Sequence, residues 1–175
     1  MQLLICPGYH SADLTHDFLQ SLLKVVQPER LWILPMGPIP GAGLPWLLNT
    51  ESAPHKNQVL HVIGFSAGVV AAYPLVMAWQ GIGGTSRLIA LDGWGMPLLG
   101  MQALYRMSHD RWTHDTTYFP AACESEGYFY AEPAVEHLKL WQSPQITKGI
   151  GAIGTAPQPM TALEFIGAVV KLGCP

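Results

Sequence analysis

Residues Val59–Gly68 read Val-Leu-His-Val-Ile-Gly-Phe-Ser-Ala-Gly, and the rest of the predicted architecture follows from them. Its first five residues are mostly apolar and β-branched, a composition typical of a buried strand. Small residues with helix-forming character follow, which predicts a helix from Ala67 toward Gln80. A strand, a sharp turn and a helix therefore meet here, with Ser66 at the apex of the turn.

The pattern Gly-x-Ser-x-Gly around Ser66 suits a nucleophile. A serine hydroxyl is a weak nucleophile, so it must stand clear of the sheet where a histidine can reach it. The turn that lifts it is tight, and Gly64 and Gly68 have no side chain to collide there. The amide of Ala67 lies at a helix N-terminus, a suitable donor to a developing oxyanion. The alternative is a tight strand–helix turn whose serine has no chemical role.

Length and composition indicate a single globular domain. The chain has 175 residues, of which 49 % are hydrophobic and 12 % are charged, and its net charge is −3. The basic residues are scattered, which argues against binding to nucleic acid or to an anionic membrane surface. No apolar run approaches the roughly 20 residues that a membrane span requires.

The N-terminus and the cysteines indicate a cytoplasmic protein. Residues Met1–Cys6 lack a basic region and a cleavage pattern, so they are predicted to form a first strand rather than a signal peptide. Three cysteines, Cys6, Cys123 and Cys174, are an odd number without metal-site spacing. This usage favours a reducing compartment.

Apolar or aromatic runs alternate with helical segments along the chain. The predicted strands are Leu3–Cys6, Leu31–Leu34, Val59–Ile63, Arg87–Leu91, Ala103–Met107 and Gly127–Ala131. The predicted helices are Asp13–Val26, Ala67–Gln80, a segment from Pro133 to about Trp141, and a last helix from a capping box at Thr161 and Glu164 to Leu172. This alternation predicts an α/β fold: a mostly parallel sheet of about six strands within a three-layer α/β/α sandwich.

Ligands of open parallel sheets bind at the carboxyl ends of the strands. Here those ends carry Gly8–His10, Ser66, Asp92, His109–Asp110 and Glu132–His137. With these residues and the Gly-x-Ser-x-Gly turn, the chain resembles a small, minimal α/β-hydrolase that begins at the third strand of the family. The resemblance covers nearly the whole chain in the order of its elements, and residues 1–175 are expected to form one domain of this type. Its specific motif is the serine turn Gly64–Gly68, the nucleophile elbow of that family. The short connection after Asp92 leaves room for a minimal lid or none.

The resemblance implies a catalytic triad in the chain order serine, acid, histidine. By position, Ser66 is the nucleophile, Asp110 the acid and His137 the general base. His137 would take the serine proton, while Asp110 fixes the imidazole tautomer. The oxyanion would be bound by the amides of Ala67 and Tyr9.

Other residues compete for the acid and base roles. Asp92 also ends a strand, and its alternative interpretation is an Asp-Gly turn. His114 is the alternative base. The cluster of His109, Asp110, His114 and Asp115 could also bind a metal, although a third spaced ligand is lacking.

The expected activity is that of a serine hydrolase that cleaves a small-molecule carboxylic ester or thioester through an acyl-enzyme on Ser66. Neither a cofactor nor a metal is expected. The alternatives are a non-catalytic ligand- or protein-binding module of the same fold, and an acyltransferase. The sequence leaves the oligomeric state open.

Overall fold

A computed structural model describes residues 1–34, 39, 43, 45, 47, 53–93, 95–117 and 125–172. Cys123 and Cys174 lie outside these residues. Eight strands and five helices lie within the continuous described stretches. They are β1 (Gln2–Cys6), α1 (Ala12–Leu22), β2 (Arg30–Ile33), β3 (Leu60–Phe65), α2 (Gly68–Gly81), β4 (Ser86–Leu91), β5 (Leu104–Ser108), α3 (Arg111–Thr117), β6 (Gly127–Ala131), α4 (His137–Gln142), β7 (Lys148–Ile153), β8 (Gln158–Thr161) and α5 (Ala162–Lys171).

All eight strands form one mixed sheet in the order β2-β1-β3-β4-β5-β6-β7-β8. The pairs from β2 to β6 are parallel, whereas β6–β7 and β7–β8 are antiparallel. The predicted α/β class and mostly parallel sheet are therefore confirmed. The predicted number of about six strands is too low, because the final antiparallel hairpin was not foreseen.

Glycines and a proline conceal this hairpin in the sequence. A Cβ added at Gly149 in β7 would lie 2.1 Å from the carbonyl oxygen of Tyr130 in β6, so a side chain cannot fit between the two strands. Strand β8 is short and contains Pro159. Proline is tolerated in it because β8 is an edge strand.

The side chains of the parallel strands alternate between two apolar cores, as the period of two requires. Leu3 and Ile5 of β1 belong to one core, and Leu4 and Cys6 belong to the other. Buried side chains of α1, α4 and α5 complete the first core, and those of α2 complete the second. The described helices therefore cover both faces of the sheet, and none is both long and apolar enough to cross a membrane.

The direction of the crossovers reverses between β1 and β3. The chain leaves β1 through α1 for β2 on one side, and it leaves β3 through α2 for β4 on the other. Such a reversal opens a crevice at the carboxyl ends of the two strands, which is where ligands of open α/β sheets bind. The residues at this position are the loop after β1 and the turn at Ser66.

The two C-terminal helices differ in how well the sequence predicted them. The capping box of α5 is confirmed: the Thr161 hydroxyl accepts from the Glu164 amide (3.2 Å), and the Glu164 carboxylate accepts from the Thr161 amide (2.6 Å). The predicted start of α4 at Pro133 is wrong, because the helix begins at His137. The preceding residues are held differently, since the amide of Val135 donates to the carbonyl of His109 (3.0 Å).

Candidate active site

Ser66 occupies a strained turn between β3 and α2. Its φ angle is +53°, in the left-handed region that residues with a side chain rarely adopt. The Ser66 amide donates to the carbonyl of Leu91 at 2.8 Å, which fixes the turn against the end of β4. Strain of this kind is tolerated where the surrounding structure enforces it, and it is concentrated at functional sites.

Two glycines permit the close approach of the loop after β1 to this turn. A Cβ added at Gly68 would lie 2.0 Å from the carbonyl oxygen of Cys6. One added at Gly8 would lie 2.8 Å from the carbonyl oxygen of Phe65 and 3.1 Å from the Cβ of Ser66. The loop that contains Tyr9, the predicted second oxyanion donor, therefore packs directly against the serine turn, and the roles of the Tyr9 and Ala67 amides stay predictions.

Asp92 presents a buried carboxylate to two histidines. It lies just after β4 with a φ angle of +50°, and its side chain is 2 % exposed. Oδ1 accepts a hydrogen bond from the His109 amide (2.9 Å). Oδ2 lies 3.0 Å from Nδ1 of His109 and 2.8 Å from Nδ1 of His137. Because an ionised carboxylate only accepts, both imidazoles carry a hydrogen on Nδ1.

The protonation equilibria of this cluster favour charge on Asp92 and on His109. Burial opposes ionisation of the Asp92 carboxyl, but the hydrogen bonds from His109 and His137 outweigh it, and the pKa of Asp92 lies below its ordinary value. The hydrogen bond to Asp92 raises the pKa of His109, and the negative charges of Asp92 and Asp110 add to this effect. At pH values between these two pKa values, the Asp92 carboxylate and the His109 imidazolium are both charged and form an ion pair.

His137 is the first residue of α4, and its ring is fixed by aromatic packing. It stacks on Phe65, the residue before Ser66, with ring centroids 4.7 Å apart. Phe65 in turn stacks on the buried Trp141 of the same helix at 5.0 Å. With Nδ1 directed at Asp92, the atom of His137 that is left to accept a proton is Nε2.

Asp110, the acid that the sequence analysis assigned to His137, has a different position. Its Oδ1 accepts from the Thr113 amide at 2.6 Å, which caps α3. Its Oδ2 lies 3.4 Å from Nε2 of His109. The carboxylate that contacts His137 is instead that of Asp92, the alternative acid. The Asp110 side chain is held at the start of α3, into which the chain turns after β5.

His114, the alternative base, lies apart from Ser66. It is buried on α3, with its ring 4.8 Å from the ring of Tyr128 and 5.1 Å from that of Tyr130. Burial lowers the pKa of His114. It does not line the cavity at Ser66.

Several side chains of the candidate site line one cavity of about 650 Å³. Its polar residues include Ser66, Asp92, His109 and His137. The rest of its wall is mainly apolar and includes Ala67, Val70, Met96 and the exposed Trp112. The structure thus brings together Ser66, Ala67, His137 and the alternative acid Asp92. It adds His109, which was predicted to lie at a strand end and in a polar cluster but had no predicted role in the triad.

Among the described residues, one group of side chains could offer ligand atoms to a metal ion: Asp92, His109 and His137. One nitrogen or oxygen atom from each of them lies within 4.8 Å of the others. Their Nδ1–Oδ2 distances of 2.8 and 3.0 Å are those of hydrogen bonds. Two ligand atoms of a tetrahedral zinc ion are farther apart, at roughly 3.3 Å for zinc–nitrogen bonds of about 2.0 Å. The arrangement is therefore better described as a hydrogen-bonded network.

Comparison with protein-family models, with curated proteins and with solved structures finds no match to this chain. The geometry of the site and the resemblance of the serine turn to the nucleophile elbow are therefore the basis for a functional proposal.

Proposed function

We propose that this protein is a serine hydrolase that cleaves a carboxylic ester or thioester through an acyl-enzyme on Ser66. One observation carries the proposal. Ser66 lines the same cavity as His137, whose Nδ1 lies 2.8 Å from the buried carboxylate of Asp92. Nucleophile, base and orienting carboxylate are the three components of a serine triad.

In the proposed reaction, Oγ of Ser66 attacks the carbonyl carbon and its proton passes to Nε2 of His137. Asp92 holds the imidazole tautomer and stabilises the imidazolium that forms. The tetrahedral intermediate then collapses, the carbon–oxygen or carbon–sulfur bond to the leaving group breaks, and His137 returns the proton to that group. Water then attacks the carbonyl carbon of the acyl-enzyme and gives a proton to His137. The bond to Oγ of Ser66 breaks, the acid is released, and His137 returns the proton to Ser66.

The negative oxygen of the intermediate needs donors that are already in place. The amide of Ala67, at the start of α2, is one proposed donor. The amide of Tyr9 is the other, and the close packing of Gly8 on Ser66 supports it.

The cavity wall favours an apolar acyl group. Ala67, Val70, Met96 and Trp112 line it beside Ser66. Burial of a methylene group against such side chains contributes about 0.8 kcal/mol. An ester or thioester with an apolar acyl chain is therefore the proposed substrate.

We also propose that the domain is a small α/β-hydrolase domain. Support comes from the serine turn after a central parallel strand, from helices on both faces, and from a proposed acid and base that follow later strands in chain order. The antiparallel hairpin of β7 and β8 extends this arrangement at one edge.

Labelling with a fluorophosphonate probe tests the proposal, because the probe reacts covalently with activated serines. The wild type is expected to be labelled, and Ser66→Ala is expected to abolish labelling. Ser11→Ala is the matched control: Ser11 is exposed at the start of α1, and its hydroxyl makes no capping hydrogen bond. A folded wild-type protein that resists the probe would contradict the hydrolase proposal and favour the non-catalytic binding module.

Acyl transfer is distinguished from hydrolysis by the products. With a chromogenic ester in water, a hydrolase releases one equivalent of acid for each leaving group. If added alcohols or amines divert most of the acyl group at low concentration, the activity is that of a transferase.

A further inference from the structure

We propose that His109 is a positioning residue of this site: it holds the Asp92 carboxylate in place and shares one of its oxygens with His137, so that the three side chains work as one unit. The inference rests on the proposed function, since it takes His137 as the base. It assigns a role to a histidine that a triad of serine, histidine and aspartate leaves without one.

His109 contacts both oxygens of Asp92. Its amide donates to Oδ1 at 2.9 Å, and its Nδ1 lies 3.0 Å from Oδ2. Two hydrogen bonds from one residue fix both the position and the rotation of the carboxyl group. The Oδ2 atom, which accepts the hydrogen bond from Nδ1 of His137, is thereby held in place before substrate binds.

His109 has Asp92 on one side and the Asp110 carboxylate, 3.4 Å from its Nε2, on the other. A proton on each of its nitrogens therefore faces a negative group, which favours the imidazolium. The remaining charged side chains of this turn, Arg111 and Asp115, face each other on α3 at 3.6 Å.

A protonated His109 places a positive charge close to the proposed base. The rings of His109 and His137 are 5.8 Å apart, centroid to centroid, and meet edge to face. A cation at that distance offsets part of the charge of Asp92, the carboxylate to which both imidazoles are hydrogen-bonded. Loss of this positive charge would therefore change the electrostatic environment in which His137 takes up the proton of Ser66.

Two variants separate the hydrogen bond from the charge. His109→Asn retains a side-chain N–H close to the place of Nδ1 and retains the backbone donor, but it has no charge. His109→Leu removes the ring donor as well. His55→Gln is the control, because His55 is exposed and its backbone pairs with Gln2 at the opposite end of β1.

The pH dependence of kcat/KM is the first readout. In His109→Asn the acidic limb is expected to move to higher pH by roughly 0.5 pH unit or more, the effect of one unit charge about 6 Å away even at the dielectric constant of water. His109→Leu is expected to show the same movement and, in addition, about a tenfold lower kcat. An unchanged limb in both variants would overturn the proposal, as would a wild-type kcat in His109→Leu.

Nitrogen-15 NMR of the histidine side chains is the second readout, and it needs no turnover. We expect two slowly exchanging Nδ1–H signals in the wild type, of which His109→Asn removes one and His137→Gln removes the other. A single such signal, unaffected by His109→Asn, would show that His109 does not share Asp92. If both signals are present but no ester is cleaved, the proposed function fails while the shared carboxylate stands.

Discussion

Gly8 and Ser66 lie in direct contact, although they come from different loops. A Cβ added at Gly8 would lie 3.1 Å from the Cβ of Ser66, and 2.8 Å from the backbone oxygen of Phe65. The loop after β1 and the turn after β3 are thus packed so closely that only a glycine fits at position 8 without a shift of the backbone. The position of either one fixes the position of the other.

Gly8→Ala is expected to impair the site. The added methyl group meets a backbone oxygen that cannot rotate away, so the loop or the serine turn must shift. Displacement of reacting groups by about 1 Å costs roughly 100-fold in rate, and we expect a loss of this order in the rate of fluorophosphonate labelling. Gly81→Ala is the control, since nothing lies within 4 Å of its added Cβ, and labelling at the wild-type rate by Gly8→Ala would contradict the prediction.

Asp92→Asn is expected to reduce kcat by about 10⁴-fold, the loss that follows when a triad aspartate is neutralised in a serine protease. The side-chain amide of the variant places either an N–H donor or an uncharged oxygen next to Nδ1 of His137, which needs a negatively charged acceptor. Asp110→Asn is the matched variant, because an asparagine Oδ1 can still accept from the Thr113 amide that Asp110 caps. Its kcat is expected to remain of the same order as that of the wild type. The opposite ranking of the two variants would return the acid role to Asp110.

His61 is expected to make the protein less stable in acid. It is buried in β3, and burial, helped by the positive charges of Arg87 and the N-terminal ammonium, lowers its pKa from 6.5 to about 4. Between these values the unfolded chain binds a proton that the folded chain does not. The free energy of unfolding therefore falls as the pH falls, by up to about 1.4 kcal/mol for each pH unit.

Urea unfolding of the wild type and of His61→Leu at pH 7 and pH 5 tests this effect. The variant lacks the titrating group, so its stability should fall less over this interval than that of the wild type. His55→Gln, an exposed histidine, should follow the wild type. Equal slopes for the wild type and His61→Leu would show that His61 is not protonated differently on unfolding.

Thr161→Ala is expected to lower the free energy of unfolding by about 1 kcal/mol, the usual cost of a lost N-cap. The Thr161 hydroxyl accepts from the Glu164 amide, and the Glu164 carboxylate accepts from the amide and the hydroxyl of Thr161. Urea unfolding measures the change. Thr161→Ser retains the hydroxyl and should lose much less, so a similar loss in both variants would assign the effect to the methyl group instead.

Much of the sheet was predictable because buried parallel strands are continuous apolar runs. Each of the six predicted strands has its counterpart in β1–β6, with ends that differ by at most two residues. Strands β7 and β8 carry no such signal. Gly149 of β7 is required by the closeness of β6, a tertiary contact, and the proline of β8 is tolerated because that strand lies at the edge.

The serine turn was predictable because its glycines and its position after a strand are local features. The choice between Asp92 and Asp110 was not, since both follow a strand end and only the side-chain direction separates them. A signal for His109 was available in the alignment of neighbouring strands. Leu91 pairs with Met107, so the residues that follow β4 and β5 emerge side by side and Asp92 is brought next to the turn at His109.

The members of the candidate site are supplied by four neighbouring strands: Ser66 follows β3, Asp92 follows β4, His109 follows β5 and His137 follows β6. No contiguous fragment that ends before β6 can therefore assemble it, however well that fragment folds. On refolding from denaturant, reactivity at Ser66 should return only with the last of these strands, and a fluorophosphonate would then serve as a reporter of completed chain assembly.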